Sequence, residues 1–220
     1  MSPYPFLDLL YGNSGTLYNS VQIPYNISGY HAIDVVQVEL RDGLNPATIL
    51  ATAYGWLLDN GEIIDYSCGN GEIGGRVPYL NFRNVSTSHY HIVVKHRNHL
   101  PIRTATSKPL STSVPATTVD LTNPSNVYNP YGNFVHIESG YAYMLMGNVY
   151  DDVPNGDIGE VNASDFFVVS TENDMNLEGY YLSDLNMDGV VNADDFDLIQ
   201  IGNQNLHYTD IPLPYLDTTF

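Results

Sequence analysis

The sequence predicts a mainly β fold, an antiparallel β-sandwich, joined to a small acidic module built on an internal repeat. Three observations predict it. Short runs of β-branched and aromatic residues, separated by turn residues, fill positions 1 to about 107. Val161-Asn162-Ala163-Ser164-Asp165-Phe166 matches Val191-Asn192-Ala193-Asp194-Asp195-Phe196 at a constant offset of 30 residues, with Gly159 answering Gly189. Such self-similarity marks a duplicated unit. Finally, all seven Lys and Arg residues precede Pro109, whereas acidic residues continue to Asp217.

The elements follow in order. His31-Ala-Ile33-Asp-Val35-Val-Gln-Val38-Glu-Leu40 reads as a strand ending at Arg41-Asp42-Gly43, and Ile49 to Leu58 as a second. The second runs into Asp59-Asn60-Gly61, whose Asn-Gly pair is a strong hairpin signal. Ser88 to His96 alternates, with Tyr90, Ile92 and Val94 on the predicted core face and His89, His91 and Lys95 on the other. Helix-period patterning is absent here, so a sandwich of immunoglobulin or fibronectin type is expected. Thr104 to Pro130 is rich in Ser, Thr, Pro and Asn. It reads as a linker or as edge strands, and Val114, Val119 and Leu121 favour partly extended structure. Alternating Tyr141, Tyr143, Leu145 and Met144, Met146 form a strand-like entry to the repeat. The expected domains are a β-sandwich with its connection over 1–130, the repeat module over 131–205 and an extended tail over 206–220.

The second repeat, Asp184-Leu-Asn186-Met-Asp188-Gly189-Val190-Val-Asn192-Ala-Asp-Asp195, places oxygen side chains at its first, third, fifth, ninth and twelfth positions and glycine at its sixth. That is the spacing of a calcium loop. A hard cation of this size takes six to eight oxygens at about 2.3–2.6 Å, and a short chain supplies them by wrapping around it. Gly189 permits the sharp turn, Val190 offers its carbonyl, and Asp195 closes the loop with both carboxylate oxygens. Asp184, Asn186, Asp188, Val190, Asn192 and Asp195 are therefore the metal-ligand candidates. In the first repeat the same offset puts Pro154, Gly156 and Ile158 where Asp184, Asn186 and Asp188 stand. A loop enlarged by about two residues substitutes Asp152, Asn155 and Asp157, followed by Glu160, Asn162 and Asp165. The expectation is one Ca2+ in the second loop and a distorted site for a second ion in the first.

With 220 residues, 43% of them apolar, the chain can bury a sizeable core. From Asn148 to Asp197 there are thirteen acids and no Lys or Arg, a density that self-repels unless cations intervene. The formal charge of −18 disfavours nucleic acid, which requires a basic patch. No apolar run of about 18 residues offers a membrane span. Loops of this kind work where calcium is plentiful, so an extracellular or cell-surface location is expected. The N-terminal Met-Ser-Pro-Tyr-Pro-Phe lacks the basic and long apolar regions of a signal peptide, and Cys68 alone neither supports nor opposes secretion.

The pattern D-x-N-x-D-G-x-V-N-x-x-D resembles the calcium loops of dockerin domains. That resemblance implies paired loops, each leading into one helix, and so a small α module. Asp34-Val-Val-Gln-Val-Glu-Leu-Arg41, Pro46 to Ala51, Leu58 to Asp65 and Tyr90 to Leu100 are similar to a module near the C-termini of large secreted bacterial surface proteins, in which such a segment precedes dockerin-like loops. The resemblance covers roughly residues 30 to 205. It implies an exported, calcium-dependent, non-catalytic module, and supplies no substrate.

Other constellations carry less. Gly69-Asn-Gly71-Glu-Ile-Gly74 matches a dinucleotide fingerprint but runs into Pro78 rather than a helix, so it reads as a hairpin loop. His89 and His91 share a strand face as zinc ligands would, yet His96 faces the other way and His99 lies beyond a turn; hydrogen bonding within the turn explains them better. No nucleophile motif surrounds Cys68, and no enzyme is expected. Asn26 and Asn84 head glycan-acceptor triplets. Two apolar end segments, Tyr4 to Tyr11 and Leu206 to Leu216, need somewhere to dock. The sequence thus predicts an extracellular calcium-stabilised structural protein that self-associates through its terminal segments into a homopolymer or fibre. The alternative is a module binding carbohydrate or another surface protein, which the 18 tyrosines would serve.

Overall fold

A computed structural model describes residues 32–65, 79–113, 116–132, 134–149, 160–175, 177–179 and 181–204. Both end segments, Cys68, the glycine run, Asn26 and the candidates Asp152, Asn155 and Asp157 lie outside them. The described residues are mainly antiparallel β-structure with two short helices, and the chain divides into two compact units.

The first unit comprises residues 32–96 and 101–144 of the described chain. Its strands are β1 (Ala32–Asp42), β2 (Ile49–Leu58), β3 (Ile63–Asp65), β4 (Ser88–His96), β5 (His99–Arg103, of this unit from Pro101 on) and β6 (Lys108–Leu110), in the order β3-β2-β1-β4-β5 with β6 on β4. A two-stranded sheet joins β7 (His136–Glu138) to β8 (Tyr141–Tyr143). The β2–β3 connection is the expected tight turn, with Gly61 at a φ of 83°.

Register places Val38 opposite Val94 and Ala53, and Leu40 opposite Ile92 and Ala51. With period-two alternation this aligns Val36, Val38, Leu40, Tyr90, Ile92 and Val94 on one face, where Val127, Val135, Ala142 and Leu121 complete the core. The expected core face of β4 is therefore observed. Its other face is buried too, contrary to simple alternation: Val93, His91 and Lys95 are all 9% exposed or less. Paired charges make this tolerable. Glu39 Oε2 accepts from Arg41 Nε at 2.8 Å and Nη2 at 2.6 Å, and its Oε1 pairs with Lys95 Nζ. On the opposite side of β4 from these, Asp34 Oδ2 lies 3.1 Å from His96 Nε2.

Between Thr104 and Pro130, β6 and a bridge between Thr104 and Val127 bear out partly extended structure. The described chain passes from this unit to the other between Met144 and Leu145. The reason is packing, since Val135 and Ala142 are buried in the sheet's own core.

The second unit comprises Arg97–Leu100 and residues 145–204 of the described chain. It contains α1 (Ala163–Asn173) and α2 (Ala193–Gln204). Leu100, Leu145, Val149, Val161, Val169, Leu185 and Ile199 form its core, and Phe166 and Phe196 meet with ring centroids 5.1 Å apart. Each fully buried aliphatic side chain contributes about 1.5–3 kcal/mol. Gly147 has a φ of 108°, and an added Cβ would lie 2.6 Å from Ile199 and 3.1 Å from Val161. No described helix is long and apolar enough to cross a membrane.

Candidate metal centre

The second loop curls around two fully buried carboxylates. Asp184 and Asp195 are both 0% exposed. Asp184 Oδ1 accepts from the Asp188 amide at 3.0 Å and Oδ2 from the Gly189 amide at 3.2 Å, so the turn folds back onto its own first residue. That turn needs left-handed backbone at two positions, Met187 (φ 62°) and Gly189 (φ 91°); glycine bears it without strain. Asp195 Oδ1 accepts from Leu185 and Asn186 amides at 2.7 and 3.1 Å, and its Oδ2 from Asn192 at 3.0 Å. Asn192 Oδ1 in turn accepts from the Asp194 amide at 2.7 Å. The reciprocal pair caps α2 as an acidic counterpart of the capping box.

Asn186 Oδ1 accepts from Asp188 at 2.9 Å, Asp188 Oδ1 from Val190 at 2.9 Å, and Asn186 Nδ2 donates to Asp188 Oδ2 at 3.0 Å. Outside the loop, Glu178 bridges to Val190, the Gly179 amide donates to the Gly189 carbonyl and the Val191 amide to the Leu177 carbonyl.

Burial pushes the Asp184 carboxyl above its ordinary value; the nearby Arg97 and the Gly189 amide work against this, while Asp195 and Asp188 add to it. A buried carboxylate raised by burial and by like charges is one that a cation stabilises.

The donor set fits a hard cation: every candidate presents oxygen and none presents sulfur or imidazole. A carboxylate oxygen accepts along two lone-pair directions. Asp184 Oδ1, with one amide, keeps a second direction, as does Asp195 Oδ2, while Asp184 Oδ2 also faces Arg97 Nη2 at 3.6 Å. Asp195 Oδ1 is filled by two amides, so in this conformation Asp195 offers one oxygen rather than the expected two. Among the described residues no three His, Cys, Asp or Glu side chains are gathered into a metal-holding group. Drawing the loop's acids onto one ion therefore requires side-chain rotation within a backbone already curled.

The first repeat copies the anchoring. Asp165, 0% exposed, accepts from the Asn162 amide at 2.8 Å through Oδ2 and from the Val149 amide at 2.8 Å through Oδ1. Asn162 closes the capping box of α1, and its Nδ2 donates to Glu160 at 2.8 Å. Val149 thus corresponds to Leu185. It stands 16 residues before Asp165, whereas Leu185 stands 10 before Asp195. The first repeat thus carries six more residues between these two anchors than the second.

Among the described residues, His91, His96 and His99 do not converge. His91 Nδ1 lies 3.3 Å from the Thr104 carbonyl, His96 pairs with Asp34, and His99 Nδ1 meets Asn98 Oδ1 at 2.8 Å.

No family model and no curated protein matches the chain. Two solved structures do, both interface mutants of a type II Cohesin-X-Dockerin complex from Acetivibrio cellulolyticus. The C-terminal interface mutant matches at 16% identity and a TM-score of 0.39, covering 76% of this chain and 80% of that one. The N-terminal interface mutant matches at 16% identity and a TM-score of 0.40, covering 80% and 83%. That likeness is remote.

Proposed function

We propose that the chain is an extracellular, non-catalytic structural module whose acidic unit is pinned by calcium bound to the loop from Asp184 to Asp195. The observation that carries this is the pair of fully buried carboxylates, Asp184 and Asp195, in one glycine-turned loop of oxygen donors. When bound, the ion would supply positive charge to groups that burial and mutual repulsion otherwise penalise. Asp184, Asn186, Asp188, the Val190 carbonyl, Asn192 and Asp195 would hold it. In finer detail, the unit pairs two dockerin-like loop–helix repeats, and the sheet unit is a sandwich of immunoglobulin or fibronectin type.

Self-association through the apolar end segments is the further part of the reading. It rests on Tyr4 to Tyr11 and Leu206 to Leu216, apolar and poor in charge. Strand donation from one chain to the next does not close on itself, so it builds fibres. A second reading, binding of another surface protein or a carbohydrate, is favoured by the exposed residues on and beside β7–β8. Tyr131, Ile137, Tyr141 and Tyr143 are 79%, 50%, 55% and 47% exposed, and such side chains make rigid contact surface.

Calcium titration followed by heat and by particle mass tests the account. Wild type should bind calcium and grow in mass with concentration, and Asp184→Asn should weaken binding by about tenfold or more, the loss of one ligand charge. Absence of calcium binding would sink the reading. A strict monomer at high concentration, with the end segments deleted or present, would remove the assembly part.

A further inference from the structure

Arg97 is the one Lys or Arg in the sequence of its unit, and it sits on the first residue of the second loop. Its side chain is 1% exposed, with Nη2 3.6 Å from Asp184 Oδ2. Nη1 donates to the Tyr181 carbonyl, the same carbonyl that accepts from the Asp184 amide at 3.3 Å. The neighbouring residue fixes the arrangement. Asn98, 0% exposed, donates from Nδ2 to the Asp184 carbonyl at 2.7 Å and accepts at its own carbonyl from the Gly147 amide at 2.8 Å. Asn98 thus bonds both to Gly147, ahead of the first repeat, and to Asp184, at the head of the second. Leu100, donating to the Leu145 carbonyl at 2.7 Å and buried in the unit's core, holds the tip in place.

We infer that Arg97 is a resident counter-ion of Asp184 that holds the second loop folded without calcium and lowers its calcium affinity. The inference rests on the calcium reading above and assigns a role to a residue outside the loop motif. Asp184 is fully buried, and a guanidinium held 3.6 Å from its Oδ2 offsets the cost of keeping that negative charge out of water. A divalent ion arriving at the same carboxylate must share it with that guanidinium, and the two cations repel. The positive charge that steadies the empty loop therefore weakens the loaded one. Binding becomes an exchange of partners on a folded unit rather than the folding of a loose one.

The test uses the full chain with Arg97→Met, which keeps the apolar stem, Arg97→Gln, which keeps donors for the Tyr181 carbonyl, and Arg97→Lys, which keeps the charge. Calcium affinity is measured by titration, and thermal unfolding is followed in chelator. Met and Gln variants should bind calcium about tenfold more tightly, the effect of one unit charge acting on a divalent ion roughly 6 Å away under water-like screening. In chelator both should unfold at lower temperature than wild type, and the Lys variant should stay near wild type in both readouts. If wild type binds calcium but the Gln variant binds with equal or lower affinity, the counter-ion role is overturned while the calcium reading stands. If wild type binds no calcium, both fall. A Met variant that fails to fold in chelator agrees with the role only if the Gln variant also loses stability there; an undiminished Gln variant contradicts it.

Discussion

His91 shows how one buried ring makes the sheet unit sensitive to acid. Burial lowers its pKa from the ordinary 6.5, the Thr104 carbonyl opposes that shift, Arg103 adds to it and Asp42 opposes it. The unfolded chain therefore binds a proton at this position before the folded chain does. Stability from this group is whole above pH 6.5 and declines as the pH falls from 6.5 toward the lower folded value. Denaturant titrations from pH 7.5 to 5 should show that decline in wild type and a shallower one in His91→Gln; identical slopes would contradict it. The sequence placed His91 on the solvent side of β4, because alternation alone cannot report that Glu39, Arg41 and Lys95 neutralise one another under cover. Arg97 and Asn98 escaped notice for a related reason. Their partners, Tyr181 and Asp184, lie 84 and 86 residues along the chain, and no local pattern spans such distances. The second-loop candidates were legible because a wrapping loop must place its donors at set intervals.

Among the elements, α1 and α2 start alike, on Asn162 with Asp165 and on Asn192 with Asp195. Each acid does two jobs, capping its helix and holding an amide farther back in the chain, Val149 or Leu185. Asp195→Ala would strand the Leu185, Asn186 and Asn192 amides. The unit should lose about 3 kcal/mol in chelator, the cost of leaving buried donors unpaired, measured by denaturant unfolding; a loss below about 0.5 kcal/mol would mean the amides find other acceptors. The 30-residue repeat disclosed these shared helix starts, and strands β1 and β2 followed from alternation and turn residues. The length of the first loop did not, because an insertion breaks any constant offset. The bond from Val149 to Asp165 shows only that the first repeat anchors its acid as Leu185 anchors Asp195. Likewise the strand-like alternation from Tyr141 ends at Tyr143, since the chain passes between its two units at Met144 and Leu145.

At the scale of the whole molecule, charge is divided as the fold is divided. Six of the seven basic residues belong to the sheet unit, where Glu39, Arg41 and Lys95 neutralise one another, and the seventh is Arg97. The other unit must balance its acids with one guanidinium and whatever cations the surroundings supply. Calcium should accordingly stabilise that unit alone. Amide hydrogen exchange of the full chain, with calcium and with chelator, tests this most directly because it reads opening segment by segment. The account predicts slower exchange with calcium in residues 181–195, α1 and α2, with β1, β2 and β4 unchanged. Equal exchange in the two conditions, or slowing spread evenly over both units, would contradict it.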